Sequence, residues 1–386
     1  MENKNPFEIL SPDERWVPSH EQMDLFKNKY EQLLPPLVHK IRKAVYKWRD
    51  DDYEGASQTT KALLDFWFNT EHKSQDNVFK FYFAQREAIE SIIYLYEIAK
   101  ARDKYDLMRF DSSRRISTGM FEENWTRYVI KMATGTGKTK VMGLTLVWSY
   151  FHKLYEPESP LSRNFLIIAP NIIVLNRLRK DFDNLTMFRQ EPFIPDDGFA
   201  DHDWKSDFQI TVHIQDDVKP LTDSGNLFLT NIHRVYLQDE QLSFDEEFLG
   251  IKPKADADTS KGLDLGKILR SDKLKDLVVM NDEAHHIHDS DLQWFKCIEE
   301  INNKLKLRYG NGISLQVDCT ATPRHTDGGI FVQTICDYPL VEAIRHGVVK
   351  SPVLPDEASR GKISEKQSSN FVENYQDFIH LGYIEW

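Results

Sequence analysis

A short glycine-rich stretch, Met132-Ala-Thr-Gly-Thr-Gly-Lys-Thr139, constrains the fold more than any other feature of this sequence. The residues before it include Tyr128-Val-Ile130, which are typical of a strand, and apolar residues after it recur at helical spacing from Val141 to Trp148. A strand, a glycine turn and a helix in this order form the context that a phosphate-binding loop requires. The sequence therefore predicts a fold of the α/β class.

The loop residues have the chemistry to hold a triphosphate. Small residues allow successive backbone N–H groups to point inward, where the positive end of the helix dipole adds to them. Lys138 would reach the β- and γ-phosphates, and the hydroxyl of Thr139 would help to hold Mg²⁺. The strict pattern has glycine where this chain has Met132, so a turn with a coincidental Lys-Thr pair is the alternative. The predicted nucleotide-binding residues of the loop are Thr134, Gly135, Thr136, Gly137, Lys138 and Thr139.

Composition bounds the other partners and the compartment. The formal net charge is -12, so nucleic acid would have to bind through a local basic patch rather than a general positive field. Cys297, Cys319 and Cys336 lack metal-ligand spacing, which argues for a reducing compartment and against disulfides or zinc. No apolar run approaches membrane-spanning length, and the first residues do not resemble a signal peptide. We expect a cytoplasmic protein without a membrane partner.

Two amphipathic helices are predicted before the loop. From Leu37 to Trp48 the apolar residues line one face while basic residues cover the other, and a second helix starts after Ser57, a suitable N-cap. The basic face could follow a phosphate backbone, although a solvated charged face is the simpler interpretation. Residues 1–75 are therefore predicted to form a small helical N-terminal domain.

Gln85 follows an aromatic cluster at 79–83 and lies upstream of the loop. An amide can pair with N6 and N7 of adenine, and an aromatic ring can stack on the base. A core aromatic cluster with a surface glutamine is the alternative, but the position of Gln85 favours adenine binding. The polar residues 102–126 that follow indicate a linker loop.

The order of elements after the loop predicts a parallel sheet. Residues 164–169 are typical of an apolar strand and 173–182 return to helical spacing, so strands and helices alternate. Residues 189–275 are acidic, less periodic and dotted with proline and glycine, which indicates a surface insertion. This insertion holds two candidate strands at 208–214 and 226–230.

A further apolar strand, at 277–281, ends in two acids, Asp282 and Glu283. Functional groups gather at the carboxyl ends of parallel strands, which would place these acids beside the phosphate-binding loop. Asp282 would orient Mg²⁺ and Glu283 would polarise the attacking water, with Lys138 as the third catalytic residue. An acidic helix N-cap is the alternative, but the loop upstream favours a catalytic site.

The next strand ends in a hydroxyl-rich turn, Thr320-Ala-Thr322. Thr320 and Thr322 can exchange hydrogen bonds with His285 and the acids, so a change at the nucleotide could reach this strand. A plain Thr-Pro turn is the alternative. His285 has no partners at metal-ligand spacing, so we expect it to bind the neighbouring loop rather than zinc.

Together these motifs resemble the first motor domain of superfamily 2 helicases of the DEAD/DEAH type. The loop, Asn281-Asp-Glu-Ala-His-His286 and Thr320-Ala-Thr-Pro-Arg324 are most similar to the restriction (helicase and nuclease) subunits of type III restriction enzymes. The resemblance implies a RecA-like domain at 76–345 that uses ATP and Mg²⁺ as cofactors. It also implies double-stranded DNA, in preference to RNA, as the nucleic acid along which the motor moves. The positions where that family contacts the nucleic-acid backbone correspond here to Pro170, Asn171, Arg177, Thr230, Asn231 and His233.

The resemblance also marks departures from the family. A helicase motor needs a second RecA-like domain whose arginines reach the γ-phosphate, and residues 346–386 are expected to be only a linker or the start of that domain. Glu365-Lys366 is similar to a nuclease cluster only superficially, because the family pattern has one residue between the two. We expect slow hydrolysis by this chain alone, completed by a second RecA-like domain or by a partner subunit that carries modification, specificity or nuclease functions.

The sequence thus predicts an ATP-dependent helicase or translocase motor, a P-loop ATPase that acts on DNA in restriction or antiviral defence. The main alternative is a nucleotide-gated nucleic-acid-binding subunit that has no ATPase of its own and is completed by a partner chain. A small-molecule kinase with a phosphate-binding loop is disfavoured by the acids followed by Ala-His and by the Thr-Ala-Thr turn.

Overall fold

The computed structural model describes residues 5–16, 35–74, 77–215, 217–231, 235–236, 263–264, 271–284, 291–321 and 331–350.

Before the central sheet the chain forms α1 (Val38–Asp50), α2 (Gln58–Asn69), the antiparallel pair β1 (His72–Ser74) and β2 (Asn77–Phe79), α3 (Phe83–Ile93) and the short α4 (Lys104–Met108). There follow β3 (Arg127–Met132), α5 (Lys138–Tyr155), β4 (Asn164–Ala169), α6 (Ile172–Phe182), α7 (Thr186–Gln190), α8 (Trp204–Asp207), β5 (Thr211–Ile214) and β6 (Asn226–Asn231). The last elements are β7 (Val235–Tyr236), β8 (Leu263–Asp264), β9 (Val278–Asn281), α9 (Asp291–Tyr309), β10 (Leu315–Thr320), β11 (Thr334–Tyr338) and α10 (Leu340–Arg345).

A seven-stranded sheet in the order β11-β3-β10-β9-β4-β6-β5 forms the centre of the fold. Neighbouring strands in this sheet run parallel. β10 lies between the loop strand β3 and the acid strand β9, and its Asp318 is paired with Val129 on one side and Asn281 on the other. The predicted α/β fold, a parallel sheet flanked by helices, is confirmed.

Helices cover both faces of the sheet, as a parallel sheet requires. One core cluster joins Ile167 of β4 to the helices that precede and follow the loop, and it includes Ile41 of α1. A second cluster joins Leu166, the neighbour of Ile167, to Ile298 and Leu305 of α9. Adjacent residues of a strand point to opposite faces, so β4 contributes to both cores.

The two predicted N-terminal helices are present. The side chain of Ser57 caps α2 by accepting a hydrogen bond from the first turn. On α1, however, Arg42 and Arg49 are not part of a solvated face, because they form ion pairs with Glu87 and Glu90 of α3. Two of the basic residues that could have followed a phosphate backbone are therefore used inside the fold. The apolar face of α1 is buried as predicted, with Val38, Ile41, Val45 and Trp48 inside.

Two regions predicted as a surface insertion and as a linker contribute to the core. β6 pairs with β4, and β5 pairs with β6, so this part of the predicted surface insertion 189–275 belongs to the central sheet. The predicted linker 102–126 contains α4 and buries Leu107 and Trp125. In both cases polar flanking residues surround apolar residues, and these pack against partners that are distant in the chain.

The predicted division into 1–75, 76–345 and 346–386 stays a prediction, and residues 351–386 lie outside the described part of the chain.

Within the described residues, no helix combines the length and the apolar character that crossing a membrane requires.

Candidate nucleotide site

The glycine loop has the backbone geometry that its sequence predicts. Gly135 and Gly137 have φ angles of +83° and +88°, in the left-handed region that favours glycine. Gly137 is the residue before α5, so the loop leads directly into the helix N-terminus. Thr136 is buried and its hydroxyl donates to the carbonyl of Ala133 at 2.7 Å, which closes the turn. Thr134 and Gly135 are exposed at the tip of the loop.

Gln85 lies directly against this loop. Its side chain is buried, its Nε2 donates to the carbonyl of Thr136 at 3.0 Å, and its Oε1 accepts from the backbone N–H of Tyr82 at 3.0 Å. The sequence predicts adenine binding for this residue, and the structure adds a contact with the loop that the sequence did not indicate. An adenine ring would have to share the amide with Thr136, so the predicted role in base binding stays a prediction.

The loop lysine contacts the second of the two acids. Lys138 is the first residue of α5, and its Nζ lies 3.2 Å from Oε1 of Glu283, with both side chains nearly buried. Glu283 is the second residue after β9 and has a φ of +49°, a strained left-handed backbone for a residue with a side chain. The loop of β3 and the acids of β9 therefore meet at one edge of the sheet, as the sequence predicts.

Asp282 is buried and both of its oxygens have partners. Oδ1 accepts from the backbone N–H of Glu283 at 3.0 Å, and Oδ2 accepts from Nη2 of Arg177 on α6. Burial raises the pKa of Asp282 above its ordinary value, and the charge of Arg177 acts against this shift. In this structure Arg177, which was predicted to contact nucleic acid, is thus the counter-ion of the predicted magnesium ligand.

Four other predicted nucleic-acid residues, which the structure describes, lie at the carboxyl ends of β4 and β6. Asn171 caps α6, since its Oδ1 accepts from the N–H groups of Ile173 and Val174 at 3.0 Å each. Thr230 and Asn231 are buried at the end of β6, where the N–H of Asn231 donates to Gln215 at 3.1 Å. Pro170 is partly exposed between β4 and α6. Their contacts with nucleic acid stay a prediction.

Three predicted site residues lie outside the described part of the chain: His233, predicted to contact nucleic acid, and His285 and Thr322, predicted to couple the two strands. Thr320 is described: it ends β10, is fully buried and is paired in register with Lys131 of the loop strand. This position brings Thr320 between the strand of the loop and the strand of the acids, while its coupling role stays a prediction.

The sequence interpretation missed a polar chain inside the sheet. Asp318 of β10 accepts from Nε of Arg127 on β3 at 2.7 Å and from the side chain of Asn281 on β9. Since Asn281 precedes Asp282, this chain connects the acid site with the loop strand through buried polar groups. The available signal was the presence of the charged residues Arg127 and Asp318 within strand segments whose every residue is buried.

The residues present fit a magnesium nucleotide. A Cβ at Gly137 would stand 2.2 Å from Nε2 of Gln85, so the phosphate cradle depends on glycine. The described residues contain no group of three or more His, Cys, Asp or Glu side chains able to hold a metal by themselves. One carboxylate, Asp282, and one hydroxyl, Thr139, are the small donor set that Mg²⁺ uses when phosphates and water complete its shell.

This fold and site define a RecA-like P-loop domain, in which a glycine loop and a pair of acids meet at the carboxyl edge of a parallel sheet. A family model described as "Type III restriction enzyme, res subunit" matches residues 78–325, more than half of the chain. The chain belongs to this family, whose matched region is the N-terminal domain of a superfamily 2 helicase. A comparison with curated proteins finds no match.

Proposed function

We propose that this chain is a P-loop ATPase of a helicase or translocase motor, which binds ATP with Mg²⁺ and acts on DNA in restriction or antiviral defence. The observation that supports the proposal is the contact between Lys138 and Glu283, 3.2 Å apart, because it brings together the groups proposed to bind phosphate and to activate water. The family match supports this proposal, because the family suggests a helicase-like ATP-dependent motor domain that acts in restriction.

The chain's own groups divide the work by their positions. The backbone of the loop from Thr134 to Gly137 would hold the phosphates. Lys138 would release Glu283 and bind the phosphates in its place. Glu283, released from the lysine, would accept a proton from the attacking water. Asp282 and Thr139 would hold Mg²⁺, which supplies neutralisation of the charge that develops on the phosphates.

Two substitutions test this division. Glu283→Gln removes the base but keeps the shape, so it should retain nucleotide binding and lower turnover by at least about 100-fold. Lys138→Ala removes a charged partner of the phosphates and should weaken nucleotide binding about ten-fold or more. Nucleotide affinity by fluorescence titration and phosphate release measure the two effects. Glu300→Gln, at an exposed position of α9, is the matched control and should change neither.

The proposed site fails if turnover survives Glu283→Gln, or if Lys138→Ala binds nucleotide as the natural chain does. The second candidate, a nucleotide-gated binding subunit without its own ATPase, predicts Lys138-dependent binding with turnover that appears only when a partner chain is added.

Double-stranded DNA is the proposed track, and the partner would be a second RecA-like domain or a modification or nuclease subunit. A cytoplasmic location is proposed on the three unpaired cysteines.

A further inference from the structure

We propose that Arg177 is an exchangeable counter-ion: it holds the carboxylate of Asp282 while no divalent cation is bound, and it turns to a nucleic-acid phosphate when the cation takes its place. The inference rests on the proposed function, because it concerns the regulation of the same nucleotide site. It gives Arg177 a role in magnesium binding in addition to the predicted backbone contact.

The position of Arg177 suits such an exchange. The side chain of Asp282 is fully buried, whereas that of Arg177 is 49% exposed, so the guanidinium stands at the border between the site and the solvent. One turn earlier on α6, Ile173 is 78% exposed, and residues four apart lie on the same helix face. Arg177 therefore has the buried acid on one side and an open surface on the other.

Charge explains why the pair forms and why the cation would break it. A buried carboxylate without a counter-charge is costly, and Arg177 supplies that charge in the described site. A divalent cation at Asp282 would neutralise the carboxylate and repel the guanidinium at short range. Lys138 and Glu283 form a parallel pair beside it, which phosphates would separate in the same way. In the first pair Arg177 occupies the place of the cation, and in the second pair Glu283 occupies the place of the phosphates.

The exchange couples two binding events. If magnesium binding frees Arg177 for a phosphate of the nucleic acid, then nucleic acid must strengthen magnesium binding by the same factor, since linkage is reciprocal. Removing the arginine should have two separate effects. Magnesium should bind more tightly in the absence of DNA, because its competitor is gone, and the coupling between the two ligands should disappear.

The test titrates Mg²⁺ into the full 386-residue chain with a fluorescent ATP analogue at fixed concentration, without DNA. Arg177→Met should lower the magnesium concentration at half-saturation about five-fold or more, the lower end of usual coupling strengths. Arg177→Lys keeps the positive charge and should stay near the natural chain. Arg179→Met, two residues further on the same helix, is the control for loss of a basic residue from α6 and should also stay near it.

A second titration measures the affinity for a blunt double-stranded DNA oligonucleotide with the magnesium nucleotide and with EDTA. The ratio of the two affinities should be about five-fold or more in the natural chain and close to one in Arg177→Met. An unchanged magnesium midpoint in folded Arg177→Met, as judged by circular dichroism, overturns the inference. In that case nucleotide binding by the natural chain, compared with binding by Lys138→Ala, separates the two claims. Binding that is lost in Lys138→Ala shows that the proposed function stands, whereas a natural chain that does not bind nucleotide shows that the function itself is wrong.

Discussion

At the scale of single residues, the loop packs against Gln85 because Gly137 has no side chain. Its left-handed backbone and its close approach to Gln85 are two separate demands on the same position. The first is a matter of backbone energy and the second of space, so the two can be measured apart. Gln85 in turn ties α3 to the loop through Thr136.

We expect Gly137→Ala to destabilise the protein by about 1–2 kcal/mol from the left-handed backbone alone, with a further cost from the contact at 2.2 Å. Urea unfolding measures the free-energy change, and a nucleotide titration should show weaker binding. Adding Gln85→Ala should recover the steric part and leave the backbone part. Gly119→Ala is the control, because no atom lies within 4 Å of its added Cβ. Equal costs for both glycines would contradict this account.

Residue identities in the site were predictable where the motif is local, and contacts between distant residues were not. The glycines, Lys138 and the acids follow from short patterns with known chemistry. The pairing of Arg177 with Asp282 joins residues on α6 and after β9, and no local pattern encodes which of several arginines will reach a given acid. The same holds for Asp318, whose partners are on two other strands.

At the scale of elements, a buried ion network attaches the N-terminal segment to the α/β core. Arg15 is almost completely buried and forms ion pairs with Glu87 of α3 and Glu342 of α10. Arg42 of α1 also pairs with Glu87, at 3.0 Å. Burial alone would raise the pKa of Glu87, but Arg15 and Arg42 overcome it and lower the pKa to about 2. The segment before α1 is therefore part of the packing of the helix that carries Gln85.

We expect Arg15→Met to cost about 3 kcal/mol at neutral pH, because it removes a counter-charge from the buried carboxylates of Glu87 and Glu342 and leaves Glu87 with Arg42. The folded-state pKa of Glu87 is depressed, so its stabilisation is present above its unfolded pKa, near 4.5, and is lost as the pH falls toward about 2. Since Arg15 causes much of that depression, the stability gap between the natural chain and Arg15→Met should narrow over this range. Urea unfolding at several pH values measures the gap.

The control for Arg15 is Arg109→Met. Arg109 forms a largely exposed ion pair with Asp106 at 3.2 Å, and such pairs contribute less than about 1 kcal/mol. An Arg15→Met variant as stable as Arg109→Met, or a gap that does not change with pH, would mean that the network does not hold the segment.

Element types were predictable from periodicity, but their pairing was less so. The strands β3, β4 and β9 and the helices α1, α2, α5 and α6 follow from apolar spacing, and they are found within a few residues of the predicted positions. The candidate strands near β5 and β6 were predicted as part of an insertion, because polar flanking residues hid that they join β4. Strand order depends on contacts between distant segments, and these leave little trace in the local sequence.

At the scale of the whole molecule, the fold extends beyond the region that the family model matches. The match covers 78–325, yet β11 lies after it and pairs with β3, the strand of the loop. Helices α1 and α2 lie before it and share the main core cluster with the sheet. The loop strand is therefore internal to the sheet only because of residues outside the family match.

A fragment of residues 78–325 should accordingly fold poorly. Loss of β11 would expose an edge of β3, and loss of α1 and α2 would uncover apolar residues of the main core. We expect aggregation in size-exclusion chromatography and no cooperative urea transition, whereas a chain of residues 5–350 should remain cooperative. A monomeric fragment as stable as the longer chain would contradict this.

The most direct test of the central claim is ATP hydrolysis by the purified chain, measured with and without double-stranded DNA. We expect hydrolysis that is stimulated by DNA and that is lost in Lys138→Ala and in Glu283→Gln, while Glu300→Gln hydrolyses ATP as the natural chain does. Hydrolysis that persists in Lys138→Ala, or a natural chain that neither binds nor hydrolyses ATP in the presence of DNA, would contradict the account.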